Sequence, residues 1–265
     1  MEHTTRSFAL ENLKVKIFQD RIAMGQAAGR VVASRMVEML KKKDLTMVFA
    51  SAPSQNEFLE ELSKSPGIEW KRVTAFHLDE YVGLPGTASQ NFGRFLREKL
   101  FDKVNPGKVH YLNGMSGDPE AECERYAALF PDDAFDIACI GIGENGHLAF
   151  NDPPVADFED PKRVKVVELD LTSRQQQVND GCFRFLEGVP QKAMTLTLPT
   201  IFSSKFIYCM VPGPTKADAV KKTLEGPITA DCPASILRKH REATLFLDQD
   251  SSKLVHSIQK FYKGS

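Results

Sequence analysis

Along the chain, short apolar runs alternate with amphipathic stretches almost without a break. Residues 13–18 read as a first strand. Residues 21–40 read as a long amphipathic helix, because Met24, Ala27, Val31, Val32 and Met36 recur at helical spacing. Strands follow at 45–50, 73–76, 109–112 and 135–142, with helices at 53–62, 92–100 and 120–129 between them. The second half gives strands at 164–169, 194–198, 206–211 and 243–247, and helices at 216–224 and 251–262. The run 135–142 is almost wholly apolar, the pattern of a strand buried on both faces. This alternation predicts an α/β fold: a mostly parallel, doubly wound, Rossmann-like sheet with helices on both faces. Such sheets bind ligands at the carboxyl ends of their strands. No repeat, low-complexity tract or Gly/Ser-rich linker intervenes, so residues 1–265 read as a single domain.

Composition narrows the class of partner. Of 265 residues, 42% are hydrophobic and 26% charged, an ordinary globular balance that excludes gross disorder. Thirty-four basic against thirty-five acidic residues leave a net charge of −1 and a pI near 6.6. That balance gives no global electrostatic case for nucleic acid or anionic membrane. No run approaches the roughly 18 apolar residues of a membrane span, and the first residues lack an apolar signal core; a cytoplasmic location is expected. The five cysteines (Cys123, Cys139, Cys182, Cys209, Cys232) form no CxxC pair and no Cys/His grouping, so neither a disulfide scaffold nor a metal site is expected. Cys139 and Cys209 lie within apolar runs and read as buried reduced thiols.

Candidate chemistry collects where strands end. Gly141-Ile-Gly-Glu-Asn-Gly146 matches GxGxxG, with Glu168 roughly 20 residues on, as a dinucleotide fingerprint asks. That fingerprint also needs a helix starting inside the loop, and Asn151-Asp-Pro-Pro154 stops one within a few residues. As a catalytic loop the segment makes better sense: His147, flanked by Glu144, Asn145 and Asp152, can exchange a proton near neutral pH. A histidine that only ties the loop together is the competing interpretation. Asp79-Glu80-Tyr81 follows the strand at 73–76; these carboxylates suit proton abstraction beside a carbonyl, or are solvated loop residues. Two strand-to-helix turns are candidate anion sites. Ser51 to Glu57 starts a helix with Ser54 and Glu57 at capping-box spacing, and Gly213-Pro-Thr-Lys216 brings an ammonium to the same sheet edge.

Taken together, these residues resemble the glucosamine-6-phosphate deaminase/isomerase family over roughly residues 45–250. Phe76-His-Leu-Asp-Glu-Tyr-Val-Gly-Leu-Pro85 is similar to its FxxDEYVGLP segment, and 141–153 to its GxGxDGHIAFNEP segment. Gly213-Pro-Thr-Lys216 is similar to its GxxKA turn. The resemblance implies ring opening of a 2-amino-2-deoxyhexose 6-phosphate (glucosamine or galactosamine 6-phosphate), proton transfer between C2 and C1 through an enolamine, and release of ammonia. No metal or organic cofactor is implied, and a homo-oligomer is an option. By motif match Asp79 is the C2 base and His147 the ring-opening group, with Asn145 and Asp152 as that histidine's partners. Ser51, Ser54, Gln55, Glu80, Arg174 and Lys216 are implied as the substrate- and phosphate-binding set. Three positions depart from the pattern. The phosphate loop at 51–55 lacks glycines, Asn145 stands where aspartate is commoner, and Asp152 is one methylene shorter than the usual glutamate. Arg174 is the nearest match to a phosphate-binding arginine. Arg163 and Lys165 resemble positions some members use for an effector, or are a solvated strand edge. Two other classes share such a fold. A 6-phosphogluconolactonase typically carries arginine after the Asp-Glu pair, where this chain has Tyr81. A sugar-phosphate sensor would bring a DNA-binding module, for which the first 44 residues leave no room.

Overall fold

The computed structural model of the chain describes residues 6–256. Its strands are β1 (Arg6–Leu10), β2 (Leu13–Phe18), β3 (Leu45–Phe49), β4 (Val73–His77), β5 (Asp79–Tyr81), β6 (Lys108–Val109), β7 (Ile137–Ile140), β8 (Val164–Glu168), β9 (Lys192–Leu196), β10 (Phe206–Val211) and β11 (Ala243–Asp248). The helices are α1 (Arg21–Leu40), α2 (Asn56–Lys64), α3 (Phe92–Leu96), α4 (Asp102–Val104), α5 (Pro119–Ala127), α6 (Leu171–Asn179), α7 (Leu198–Phe202), α8 (Ala217–Glu225) and α9 (Gln249–Ser252). Of the helix expected at 251–262, only the start is realised, in α9; residues 257–262 lie outside the described residues. Among the described residues no helix is long and apolar enough to cross a membrane.

The main sheet runs β1-β2-β11-β10-β7-β3-β4-β6, parallel throughout except for the antiparallel β1–β2 hairpin at one edge. Period-two alternation sends each central strand's side chains to both faces. In β7, Ile137 and Cys139 enter one core while Ala138 and Ile140 enter the other; in β10, Tyr208 and Met210 oppose Ile207, Cys209 and Val211. Both faces are therefore dry, as the continuous apolar runs require. The chain winds outward from β3 through β4 to β6, and from β7 back through β10 to β11. The order thus reverses between β3 and β7, and at such a switch point the two following loops diverge and leave a crevice.

Two parts of the sequence reading need correcting. The strands expected at 164–169 and 194–198 do not join the parallel sheet. As β8 and β9 they form, with β5, a separate antiparallel sheet in the order β5-β9-β8. Their apolar content buries against the second core and a third cluster built on Tyr81, Phe92, Phe150 and Phe183. The capping box expected from Ser54 and Glu57 also does not form. A 3₁₀ turn, Pro53–Gln55, precedes α2 without a side-chain cap, and Glu57 instead binds the Arg21 guanidinium at 2.8 and 3.0 Å.

That ion pair marks an unusually close helix contact. A Cβ on Gly25 of α1 would lie 2.4 Å from Glu57 Cβ and 2.9 Å from the Glu57 carbonyl carbon; one on Gly29 would lie 2.6 Å from Glu61 Cβ. The two glycines, one turn apart, let α1 and α2 pack backbone to backbone. In an exposed helix Gly→Ala gains about 1 kcal/mol. Here Gly25→Ala is expected to lose about 1–3 kcal/mol, because backbone must move to admit the methyl. A lowered urea midpoint at unchanged slope checks this, and a raised midpoint would refute the close packing.

Candidate active site

The loop after β7 is shaped by what glycine permits. A Cβ on Gly143 would fall 2.0–2.3 Å from three atoms of the His147 ring, and one on Gly146, where φ is +90°, would fall 2.8 Å from Cys232 Sγ. The His147 ring therefore lies against bare backbone. Its Nδ1 is 2.8 Å from Asn145 Oδ1, 2.9 Å from Asp152 Oδ1 and 2.9 Å from Ser173 Oγ. Asn145 Oδ1 also accepts the His147 backbone N–H at 3.0 Å, and Asn145 Nδ2 donates to Asp152 Oδ1 at 2.9 Å. A nitrogen ringed by oxygens carries the proton, which leaves Nε2 with its lone pair. Asp152 is buried, which alone would raise its carboxyl; hydrogen bonds from His147, Asn145 and Ser173 outweigh burial and hold it below the usual range. Asp152 thus supplies the charge that neutral Asn145 does not.

Asp79 and Glu80 are neither solvated nor equivalent. Both are buried in β5, which pairs Asp79 with Thr195 and Glu80 with Met194 of β9. Successive residues of a strand point to opposite sides. Asp79 lines the cleft beside His147, and its carboxylate has no hydrogen-bond or ion-pair partner among the described residues. Burial, reinforced by Glu80, pushes its carboxyl well above the ordinary range. Glu80 points away and accepts the backbone N–H groups of Tyr81, Phe92 and Gly93 at 3.0–3.2 Å, fastening the start of α3. Burial pushes it up to about 7, against the lowering effect of those donors. Glu80 is therefore an anchor for the backbone and does not line the cleft.

The expected anion-binding set divides in the same way. Ser51, Ser54 and Gln55, from the turn after β3, and Lys216, from the 3₁₀ turn Pro214–Lys216 before α8, all line the cleft. Gln55 Nε2 is committed to Ser54 Oγ and Met210 O, and Ser51 Oγ is buried without a partner. The Lys216 ammonium has no ion-pair partner among the described residues; burial pushes it down, opposed by Asp180 and Glu144. Arg174 is not in the cleft. Its guanidinium donates to the carbonyls of Leu186 and Val189 at 2.8 and 3.0 Å and holds the loop that follows α6. Arg163 and Lys165 are also committed: Arg163 lies 4.9 Å over the Phe130 ring and donates to Pro131 O, while Lys165 binds Asp160 at 2.8 Å.

What the sequence reading missed is α6. Ser173, Gln176 and Gln177 are buried on its inner side; both glutamines line the cleft, and Gln176 Oε1 accepts the Glu144 N–H at 2.8 Å. The available signal was Asp170, which caps Thr172 N, followed by polar residues at i, i+3 and i+4. That spacing marks one helix face, but a polar face ordinarily reads as solvated.

The chain is similar to known proteins in sequence and fold. A family model described as glucosamine-6-phosphate isomerases/6-phosphogluconolactonase matches residues 19–246. Glucosamine-6-phosphate deaminase of Streptococcus pyogenes serotype M3 is 35% identical over 238 residues, covering 89% of this chain and 97% of that protein. A solved monomeric glucosamine-6-phosphate deaminase superposes with a TM-score of 0.83 at 31% identity, over 91% of this chain and 99% of its own. The 6-phosphogluconolactonase of Thermotoga maritima has the same fold, with a TM-score of 0.72 at 22% identity over 89% of this chain and 99% of its own.

The uncompensated carboxyl of Asp79 has a cost that depends on pH. A carboxyl whose folded-state pKa exceeds its unfolded value leaves the folded state holding the extra proton. Its destabilisation is absent below about pH 4 and grows as pH rises toward the folded value. Asp79→Asn removes that group. The variant should melt higher than the parent by an increment that widens from pH 5 to pH 8, reaching about 1–2 kcal/mol. Thermal unfolding of both proteins across that range checks this; a difference that is flat or narrows with pH would contradict it.

Proposed function

The chain belongs to the glucosamine-6-phosphate isomerase/6-phosphogluconolactonase family, and we propose that it is a deaminase, converting a 2-amino-2-deoxyhexose 6-phosphate to the ketose 6-phosphate and ammonia. One observation carries this reading. A carboxylate without a partner, a histidine with only Nε2 free, and an unpaired ammonium face the same switch-point cleft. Nε2 of His147 takes the proton of the anomeric hydroxyl as the C1–O5 bond breaks, and returns it to O5. Asp79 then takes the C2 proton and delivers it to C1, the enolamine becoming a C2 imine. Addition of water to that imine gives the ketose and releases ammonia.

The cleft's electrostatics suit such a substrate. Its 2-amino group, when protonated, supplies the positive charge that Asp79 lacks, and its phosphate supplies the negative charge that Lys216 lacks. Ser51 and Ser54 add hydroxyl donors toward that phosphate. Tyr81 opposes the lactonase alternative. It is fully buried among Phe92, Phe150 and Phe183, so an arginine there would bring a charge into an apolar cluster. Five free cysteines, four of them buried, suit a reducing compartment such as the cytoplasm.

The decisive assay offers the purified chain glucosamine 6-phosphate, galactosamine 6-phosphate and 6-phosphogluconolactone, following ammonia, ketose phosphate and acid. Ammonia and ketose phosphate should appear in equal amounts from at least one amino sugar, and lactone hydrolysis alone would overturn the proposal. Lys216→Ala should raise KM for the phosphorylated sugar by roughly 10- to 150-fold, the range expected for a lost charge-assisted contact. Unphosphorylated glucosamine should be unaffected, and an equal loss on both sugars would remove Lys216 from the phosphate site. Asp79→Asn should abolish turnover and solvent exchange of the C2 proton while leaving binding within a few-fold. Exchange at the parent rate would exclude Asp79 as the base.

A further inference from the structure

The side of His147 that faces away from the cleft is completed by a residue from a different part of the chain. Ser173, in the first turn of α6, is 1% exposed; its Oγ lies 2.9 Å from His147 Nδ1 and hydrogen-bonds Asp152 Oδ1. A hydroxyl has one proton and two lone pairs, whereas an ionised carboxylate only accepts. The Ser173 proton therefore goes to Asp152, and an Oγ lone pair faces Nδ1–H. Asp152 Oδ2 has no partner, so the donors converge on Oδ1: His147, Asn145 and Ser173. The remaining neighbour at Nδ1, Asn145, is neutral.

We propose that Ser173 is a positioning residue for the reaction: its hydroxyl couples Asp152 to His147 and holds the Nδ1–H tautomer, so that Nε2 is the nitrogen presented to the sugar. This rests on the reading of His147 as the ring-opening group. Three residues of α6 then tie it to the catalytic loop, Asn179 by donating to Glu144 Oε2 at 3.5 Å. Ser173 fixes the ring and carboxylate, and Gln176 fixes the backbone at Glu144 three residues earlier. Truncation of Ser173 removes one of the three donors to Asp152 Oδ1 and one of the three acceptors around Nδ1, which weakens the hold on the Nδ1–H form and lets the ring populate Nε2–H.

The test compares the parent with Ser173→Ala, Ser173→Thr, His147→Gln and the Ser173→Ala/His147→Gln double variant. Ser173→Ala should lower kcat about ten- to a hundredfold with KM within about threefold, and threonine, which keeps the hydroxyl, should restore most of it. In the His147→Gln background, Ser173→Ala should cost nothing further. Nitrogen-15 NMR of histidine-labelled, ligand-free protein gives a readout independent of turnover. His147 should be the Nδ1–H tautomer in the parent and in Ser173→Thr, and a mixture with Nε2–H in Ser173→Ala. An unchanged tautomer with parental kcat overturns the proposal, and so does a kcat loss that persists undiminished in the His147→Gln background. A tautomer shift in a protein that deaminates no amino sugar phosphate would refute the reaction while upholding Ser173 as the residue that positions His147.

Discussion

The site depends on one short strand that belongs to neither of the loops it holds. β9 pairs on one side with Asp79–Tyr81, and its Leu196 N–H donates to Leu78 O, which fixes the Asp79 segment. The same strand bonds the His147 loop: Thr195 Oγ1 accepts the Phe150 N–H at 3.1 Å, and Leu196 O accepts Asn151 Nδ2 at 2.8 Å. The two segments come from opposite sides of the switch point, after β4 and after β7, and the parallel sheet alone would let them diverge. The small antiparallel sheet draws them back over the crevice. Precision in such a site comes from regular backbone pairing, which is stiffer than loop-on-loop packing.

This division explains what the sequence disclosed. The parallel strands were legible because burial on both faces writes a continuous apolar run, as at 135–142. Partnership is not written in the run: 164–168 and 192–196 have the same apolar look but pair antiparallel with each other, and periodicity carries no information about neighbours. Strand β5 has three residues, two of them acidic, and only its pairing with β9 makes it a strand. Asp79 and Glu80 are chemically near-identical and adjacent, yet the pleat sends one to the cleft and the other to the start of α3. Arg174 and Ser173 show the helical counterpart, since one residue along a helix is about 100° around it. Arg174 thus departs to the carbonyls of Leu186 and Val189, and the serine beside it reaches His147. Motif resemblance could single out His147, Asp152 and Lys216 because those residues sit in turns whose geometry is local. It could not supply α6, whose polar inner face is buried only because a loop from elsewhere lies across it.

On the proposed roles, stability and chemistry pull against each other at Asp79 and agree at Asp152. The Asp152 carboxylate is buried with three donors, so its charge strengthens the native state above the acid range. Asp79 is buried with none, and the fold carries it at a loss. Catalytic machinery often separates in this way, into groups made reactive by deprivation and groups that orient them by saturation.

Burial pushes the Asp79 carboxyl up and the Lys216 amine down, so that each group is strained in its charged form from the opposite side. On the deaminase reading, a ligand with an ammonium at one end and a phosphate at the other opposes both pressures together, favouring the charged form of each group. Substrate and site then relieve one another's unpaired charges, and the cleft acquires its polarity along the axis of its own substrate.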